Sequence, residues 1–298
     1  MKGKLKIMAV VCHPADAIDG PGGTLCRHAE RGDDITVVVC THGVETHDWK
    51  RNDTLRFEGT ASAPDSETAI GIKEKEVVEG MGILGVKDVR FLGFADGLLT
   101  VTTELMEAIA TVMADVQPHL LIVHNPTEEA GLACVGHADS AIAALKARYL
   151  ANTPRFLKRP TGRTFPSQVF LMTMNGQTSQ LTAEGERYGN VLVDITPVVD
   201  RKVRAMDCLR SQYYPGLLAR KCIEIVNGRM GLHRCLPYAE AFQTLVPEVY
   251  SHLPVNEYLL KHASTPLSKQ YKNKMRIMVR AVPFKPAKMK RAGGFRNR

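Results

Sequence analysis

Residues 4–41 read KLKIMAVVCHPADAIDGPGGTLCRHAERGDDITVVVCT, and this stretch decides the fold. Lys4–Cys12 is an apolar run of strand length, and Ile35–Cys40 (ITVVVC) is a second, rich in β-branched residues that suit a buried pleat. Between them Gly22–Arg31 has helical spacing, with Leu25, His28 and Ala29 on one side, and Gly32-Asp33 supplies the stop. Strand, helix and strand in so short a span form a βαβ unit, whose two strands run parallel.

The same alternation continues downstream. His42 to about Ile70 is polar and irregular and reads as a loop at the carboxyl edge of the sheet, where sites commonly lie. Glu74–Leu84 and Glu104–Val116 read as helices, and Val89–Leu92 and Leu120–His124 (LLIVH) as strands. His137–Tyr149 has helical character with Ala141, Ala144 and Leu145 inward. Gln168–Met174 and Val191–Val193 read as later strands, and Pro197–Gln212 as a helix that Asp194 or Thr196 could cap. The expected class is α/β: a Rossmann-like, mostly parallel sheet with helices on both faces.

At 298 residues, with 44% apolar and 23% charged residues, the chain has enough core for one compact α/β unit. The formal charge of +8 is local. Residues 264–298 hold eleven Lys or Arg and no acid, and the remainder carries 28 basic against 31 acidic residues. The expected division is therefore a single catalytic domain over 1–263 and a basic, extended tail over 264–298. Few aromatics interleave with the tail's cations (Tyr271, Phe284, Phe295), which gives little basis for stacking on nucleic-acid bases. It reads as a solvated extension or an arm packing on a second copy in a homo-oligomer, so the expected partner is a small-molecule substrate, with no specific nucleic acid and no membrane. Seven widely spread cysteines without a CxxC pair argue for reduced core thiols. The apolar run before His13 is too short for a signal peptide or a membrane span, and a cytoplasmic location is the default expectation.

In open parallel sheets, ligands bind beyond the carboxyl ends of the strands. Histidines stand at three such places: His13 after the first strand, His42 after the second and His124 at the end of the fourth. His13 and Asp16 share a turn into a helix, and His137 opens a later helix. Two imidazoles and a carboxylate suit a divalent metal with positions left for water and substrate. Each residue alone also fits a structural role: His13 capping a turn, Asp16 as a helix N-cap, His137 at a surface helix start. Gly20-Pro21-Gly22-Gly23 does not make a dinucleotide turn, because Leu25 replaces the third glycine and no acid closes the second strand.

HPADAIDGPGGT, followed by a helix and ITVVVCTHG, resembles the PIG-L/LmbE-like family of zinc-dependent N-deacetylases, whose opening motif is AHPDDExxGxGGT. The resemblance extends through GILGVKDVRFLGFADGLL, a DIT-x5-K-x8-SQ pattern at Asp194–Gln212 and PYAEAF at Pro237–Phe242. It implies an LmbE-like fold, bound Zn2+ and hydrolysis of an N-acyl amide. Carried across, the zinc ligands are His13, Asp16 and, at the second histidine of the family's HxDH, His137. Matching His137 to the first histidine instead would put Ser140 on the metal, and a hydroxyl is a poor zinc ligand.

Two departures bear on mechanism. The family's general base, the first Asp of HPDD, is here Ala15, and Cys134 stands at the HxDH histidine that helps stabilise the oxyanion. Candidates for the displaced proton transfer are Asp19, His42 and His124, with Glu45 beside them. The HPAD variant is similar to 4-oxalomesaconate hydratase, a relative that adds water to a carbon–carbon double bond and has no amine to expel. A hydratase reading implies cations that clamp substrate carboxylates, for which Lys73, Arg56 and Arg51 are candidates. The third reading is a metal-binding pseudoenzyme.

Overall fold

The computed structural model describes residues 3–59, 63–127, 136–172 and 190–278. A seven-stranded sheet has the order β3-β2-β1-β4-β5-β7-β6. Its strands are β1 (Lys6–Val11), β2 (Asp34–Thr41), β3 (Asp88–Phe94), β4 (Leu120–His124), β5 (Gln168–Met172), β6 (Val191–Asp194) and β7 (Ala239–Thr244). β3, β2, β1, β4 and β5 are parallel neighbours, and β7 runs antiparallel between β5 and β6. The strand order reverses between β1 and β4, so these two open a crevice at their carboxyl ends.

Strand periodicity divides the core. Ile7, Ala9 and Val11 face a layer that includes Leu25, Val77, Met81 and Val203, while Met8, Val10 and Cys12 face Leu105, Ile109, Met113 and Ala144. The first layer belongs to α1 (Asp16–Asp19), α2 (Gly22–Arg31), α4 (Ser66–Leu84) and α7 (Val199–Met206); the second belongs to α5 (Thr103–Val116) and α6 (His137–Leu150). Gly32, at φ 87°, ends α2 as the sequence indicates. The expected α/β architecture with helices on both faces is the one found.

Several expectations need correction. The His42–Ile70 segment is not all loop. It holds α3 (Trp49–Phe57), capped by Asp48 accepting from Arg51 N–H, and α4 begins at Ser66, where the Asp65 carboxylate accepts from Thr68 N–H. α3 buries no residue, so it has no apolar stripe to betray it. The helix expected over Pro197–Gln212 is broken into a 3-10 turn (Thr196–Val198), α7 and a second 3-10 turn (Arg210–Gln212). Beyond it, α8 (Leu217–Cys222), a π turn (Ile223–Gly228) and α9 (Arg229–Leu232) run on continuously. The tail is not extended from Ser264. After α10 (Glu257–Ala263) it forms α11 (Leu267–Lys274), and Met278 N–H donates to Glu224 Oε1. Cys134, Thr173, Met174 and the tail beyond Met278 lie outside the described residues. Among the described residues no helix is long and apolar enough to cross a membrane.

Candidate metal centre

Buried Cys12 and His13 follow β1, and Pro14 and Ala15 turn the chain into α1, whose first residue is Asp16. His13 N–H donates to Asp16 Oδ2 at 2.7 Å, which aims the carboxylate back at the strand end. β4 delivers His124 and the first turn of α6 delivers His137. Asp16 Oδ2 then lies 3.3 Å from His13 Nδ1, 3.2 Å from His124 Nε2 and 3.4 Å from His137 Nε2. The rings of His124 and His137 stack with centroids 3.9 Å apart. Gly136, at φ 85°, makes the approach to α6, and a Cβ there would sit 3.0 Å from Cys12 Sγ and 3.1 Å from Leu99 Cβ.

The ligand atoms of His13, Asp16 and His137 lie within 4.8 Å of one another. Burial lowers the pKa of His13, only partly offset by Asp16, so its imidazole is neutral, the ligand form. Burial opposes ionisation of Asp16, yet His137, His13 and the hydrogen bonds around it hold the carboxyl well below the usual range. His13 Nε2 lies 3.5 Å from Cys12 Sγ, while buried Nδ1 has no hydrogen-bond partner despite standing 3.3 Å from Asp16 Oδ2. A buried neutral imidazole and a buried carboxylate converging on one point suit a divalent cation.

The expected proton-handling residues are dispersed. His124 touches the centre, and its Nε2 accepts from Cys12 N–H at 3.1 Å. Asp19 is buried, with Oδ2 accepting from Tyr214 Oη–H at 2.9 Å and its pKa raised by burial. His42 Nδ1 lies 3.1 Å from Asp96 Oδ1, and Glu45 is exposed with its carboxylate beside Gly97. Lys73 is not a clamp on a mobile loop. It is buried, and its Nζ donates to the His47 carbonyl at 3.0 Å and to Ser211 Oγ at 3.3 Å. Arg51 donates to Pro64 O and Ser66 Oγ, and Arg56 is exposed on α3.

One site residue escaped the sequence reading. His47 is buried with its ring centroid 3.9 Å from that of His13. Its Nδ1 is 2.6 Å from Thr46 Oγ1, and the Thr46 hydroxyl donates to Asp96 Oδ2 at 2.6 Å. Burial opposes ionisation of Asp96, but hydrogen bonds from the Thr46 hydroxyl and the Thr46 and Glu45 N–H groups hold its carboxyl below the usual range. The only signal was a second histidine five residues after His42 in THGVETHD.

The paired motifs around this centre also acquire a physical meaning. Lys202 of DIT-x5-K and Glu240 of PYAEAF form a buried ion pair of 2.7 Å, and Glu240 also accepts from the N–H groups of Gly23 and Thr24 at the start of α2. Lys202 Nζ further donates to the carbonyls of Asp19 and Gly20. A Cβ on Gly23 would fall 2.7 Å from Ile195 and 2.8 Å from Glu240. The glycine pair of HPADAIDGPGGT thus admits the acid that anchors the start of α2.

Residues 8–146 match the family described as GlcNAc-PI de-N-acetylase, PIG-L. The chain carries a PIG-L domain. Members of this family are metal-dependent, in keeping with the His–Asp–His cluster. Over 260 residues the chain is 25% identical to diacetylchitobiose deacetylase of Thermococcus kodakarensis, an alignment covering 83% of this chain and 85% of that protein. It is 23% identical over 257 residues to 4-oxalmesaconate hydratase of Pseudomonas putida, covering 83% and 91%. In fold, the PIG-L domain and its flanking elements are similar to the crystal structure of the 4-carboxy-2-hydroxymuconate hydratase of Pseudomonas putida, at TM-score 0.65 and 22% identity over 84% of this chain and all of that one.

Proposed function

We propose that this protein is a zinc-dependent hydrolase that cleaves an N-acetyl or related N-acyl amide. The observation that carries the reading is the convergence of His13, Asp16 and His137 at the strand-order reversal, with ligand atoms within 4.8 Å. The relatives named as deacetylases support the reaction class. His13, Asp16 and His137 would hold the metal, which supplies Lewis acidity toward a carbonyl and lowers the pKa of water to about 7. Asp16 provides the charge of the ligand set and draws His13 into place through the backbone N–H of that residue. Of the expected proton-handling groups, His124 has the strongest support because it touches Asp16. Its Nε2 lies 3.2 Å from Asp16 Oδ2 and accepts from Cys12 N–H at 3.1 Å.

One observation favours a second reading. Ala15, where the family motif has its catalytic carboxylate, is 4% exposed and offers no proton acceptor. A hydratase acting on an unsaturated carboxylic acid has no amine to protonate and tolerates that loss better. The test is one panel on zinc-supplemented enzyme and its His137→Ala variant: acetate release from N-acetylglucosamine-containing disaccharides, and loss of the ultraviolet absorbance of 4-oxalomesaconate. Acetate release abolished by His137→Ala supports the hydrolase. Hydration without acetate release transfers the assignment to the lyase, and zinc binding with neither turnover leaves the pseudoenzyme.

A further inference from the structure

The segment joining β2 to α3 lies on the metal centre. Gly43, at φ 66°, brings the backbone so close to the His13-Pro14 turn that a Cβ would lie 2.6 Å from Pro14 Cδ and 3.1 Å from Lys73 Cε. Lys73 Nζ, inserted from α4, holds the His47 carbonyl, and the Asp96 carboxylate beyond β3 accepts from Glu45 N–H, Thr46 N–H and the Thr46 hydroxyl. Three elements therefore fix one short loop, and the side chain it presents to His13 is His47.

The hydrogen bonds also fix the state of that ring. A carboxylate only accepts, so the single hydroxyl proton of Thr46 points to Asp96 Oδ2. Thr46 Oγ1 can then only accept from His47 Nδ1 at 2.6 Å, and the Nδ1–H tautomer of His47 follows. Oriented by this chain, the His47 ring lies 3.9 Å from His13, tilted by 34°, and limits the rotation of a ring whose Nδ1 must face Asp16.

We infer that Asp96, Thr46 and His47 form a positioning relay that holds His13 in its metal-binding orientation. The inference rests on the metal-centre reading and extends it to three residues outside the proposed ligand set of His13, Asp16 and His137. His47 acts through His13 and is a positioning residue. Partners outside the ligand shell typically contribute 10–100-fold to metal affinity.

The test is competition of the metal-free full chain with a chromophoric chelator for Zn2+, comparing wild type with Thr46→Val and Thr46→Ser. Valine keeps the shape and removes the hydroxyl, and serine restores the hydroxyl. Thr46→Val is expected to weaken Zn2+ binding about 10–100-fold and Thr46→Ser to stay within about threefold of wild type. A Thr46→Val variant that matches wild type overturns the relay, as does a Thr46→Ser variant as weak as Thr46→Val. Imidazole 15N spectra of wild type decide the matter even where Thr46→Val does not fold. A His47 ring protonated at Nδ1 is expected, and one protonated at Nε2 alone overturns the inference. Wild type that takes up no Zn2+ overturns the metal-centre reading and this inference with it, an outcome distinct from Zn2+ binding that is indifferent to Thr46.

Discussion

Replacing Glu240 with glutamine removes one charge and leaves the shape nearly unchanged, yet the structure makes this an expensive substitution. Lys202 and Glu240 are 0% and 3% exposed, and Glu240 Oε1 accepts from both Lys202 Nζ and Gly23 N–H while Oε2 accepts from Thr24 N–H, each at 2.7 Å. Glutamine has one acceptor oxygen. Its amide nitrogen would face either a buried ammonium and an N–H group or the N–H of Thr24, and all of these are donors. Breaking a buried ion pair by removing one partner costs about 3–5 kcal/mol, and Lys202 keeps two carbonyl acceptors that hold the loss toward the lower end. We expect about 3–4 kcal/mol, equivalent to a fall in Tm of roughly 6–16 °C at about 2–4 °C per kcal/mol. Urea unfolding followed by circular dichroism, with the slope m unchanged, measures it. A loss below about 1 kcal/mol would refute the claim that this pair anchors α2.

Other outcomes follow from the same contacts. Gly136→Ala places a Cβ against Cys12 Sγ and Leu99 at a left-handed backbone position, so it should cost about 1–3 kcal/mol and weaken metal binding by displacing His137, measured by thermal unfolding and chelator competition. Burial alone would raise the Asp33 pKa, but Arg31, Leu5 N–H and His28 bring it to about 2 from 3.8. A depressed carboxylate contributes stability that is present above its unfolded value and lost as pH falls through the folded one. Acid unfolding of Asp33→Asn should therefore show a shallower loss of stability between about pH 4 and pH 2 than wild type. Identical slopes would contradict this. Lys73→Met removes the donor to the His47 carbonyl and leaves Glu76 and Asp48 without a nearby buried cation, so it should destabilise the chain by about 2–4 kcal/mol, whereas a substrate clamp would raise KM and leave stability intact.

The parts of the fold that were legible are those whose packing repeats at short range. β1 and β2 are buried on both faces and appear as continuous apolar runs, and α2 ends at a glycine that its left-handed backbone requires. The boundaries of α5 and β4 follow from periodicity for the same reason. α3 was hidden because it buries nothing, and β7 because AEAFQT carries a glutamate in a buried position that only Lys202, far away in sequence, explains. In the site, His13 and Asp16 were legible because the backbone N–H of one binds the carboxylate of the other within a single turn. His47 was not, since its place against His13 depends on the Gly43 turn, on Lys73 from α4 and on Asp96 beyond β3, none of which is local to it. The proton-handling candidates show the same limit: His42 follows a strand end and Asp19 closes the short helix that Asp16 opens, but their long-range partners Asp96 and Tyr214 decide where their polar atoms point.

Elemental analysis of the purified protein, with His137→Ala and Ser140→Ala beside it, tests the metal centre most directly. Ser140 is buried one turn into α6, and its hydroxyl donates to the His137 carbonyl at 2.8 Å, so its loss should disturb the helix slightly and leave the ligand set whole. The expected result is about one zinc per chain in wild type and in Ser140→Ala, and none in His137→Ala. Wild type without metal, or His137→Ala with a full complement, would contradict a centre built from His13, Asp16 and His137.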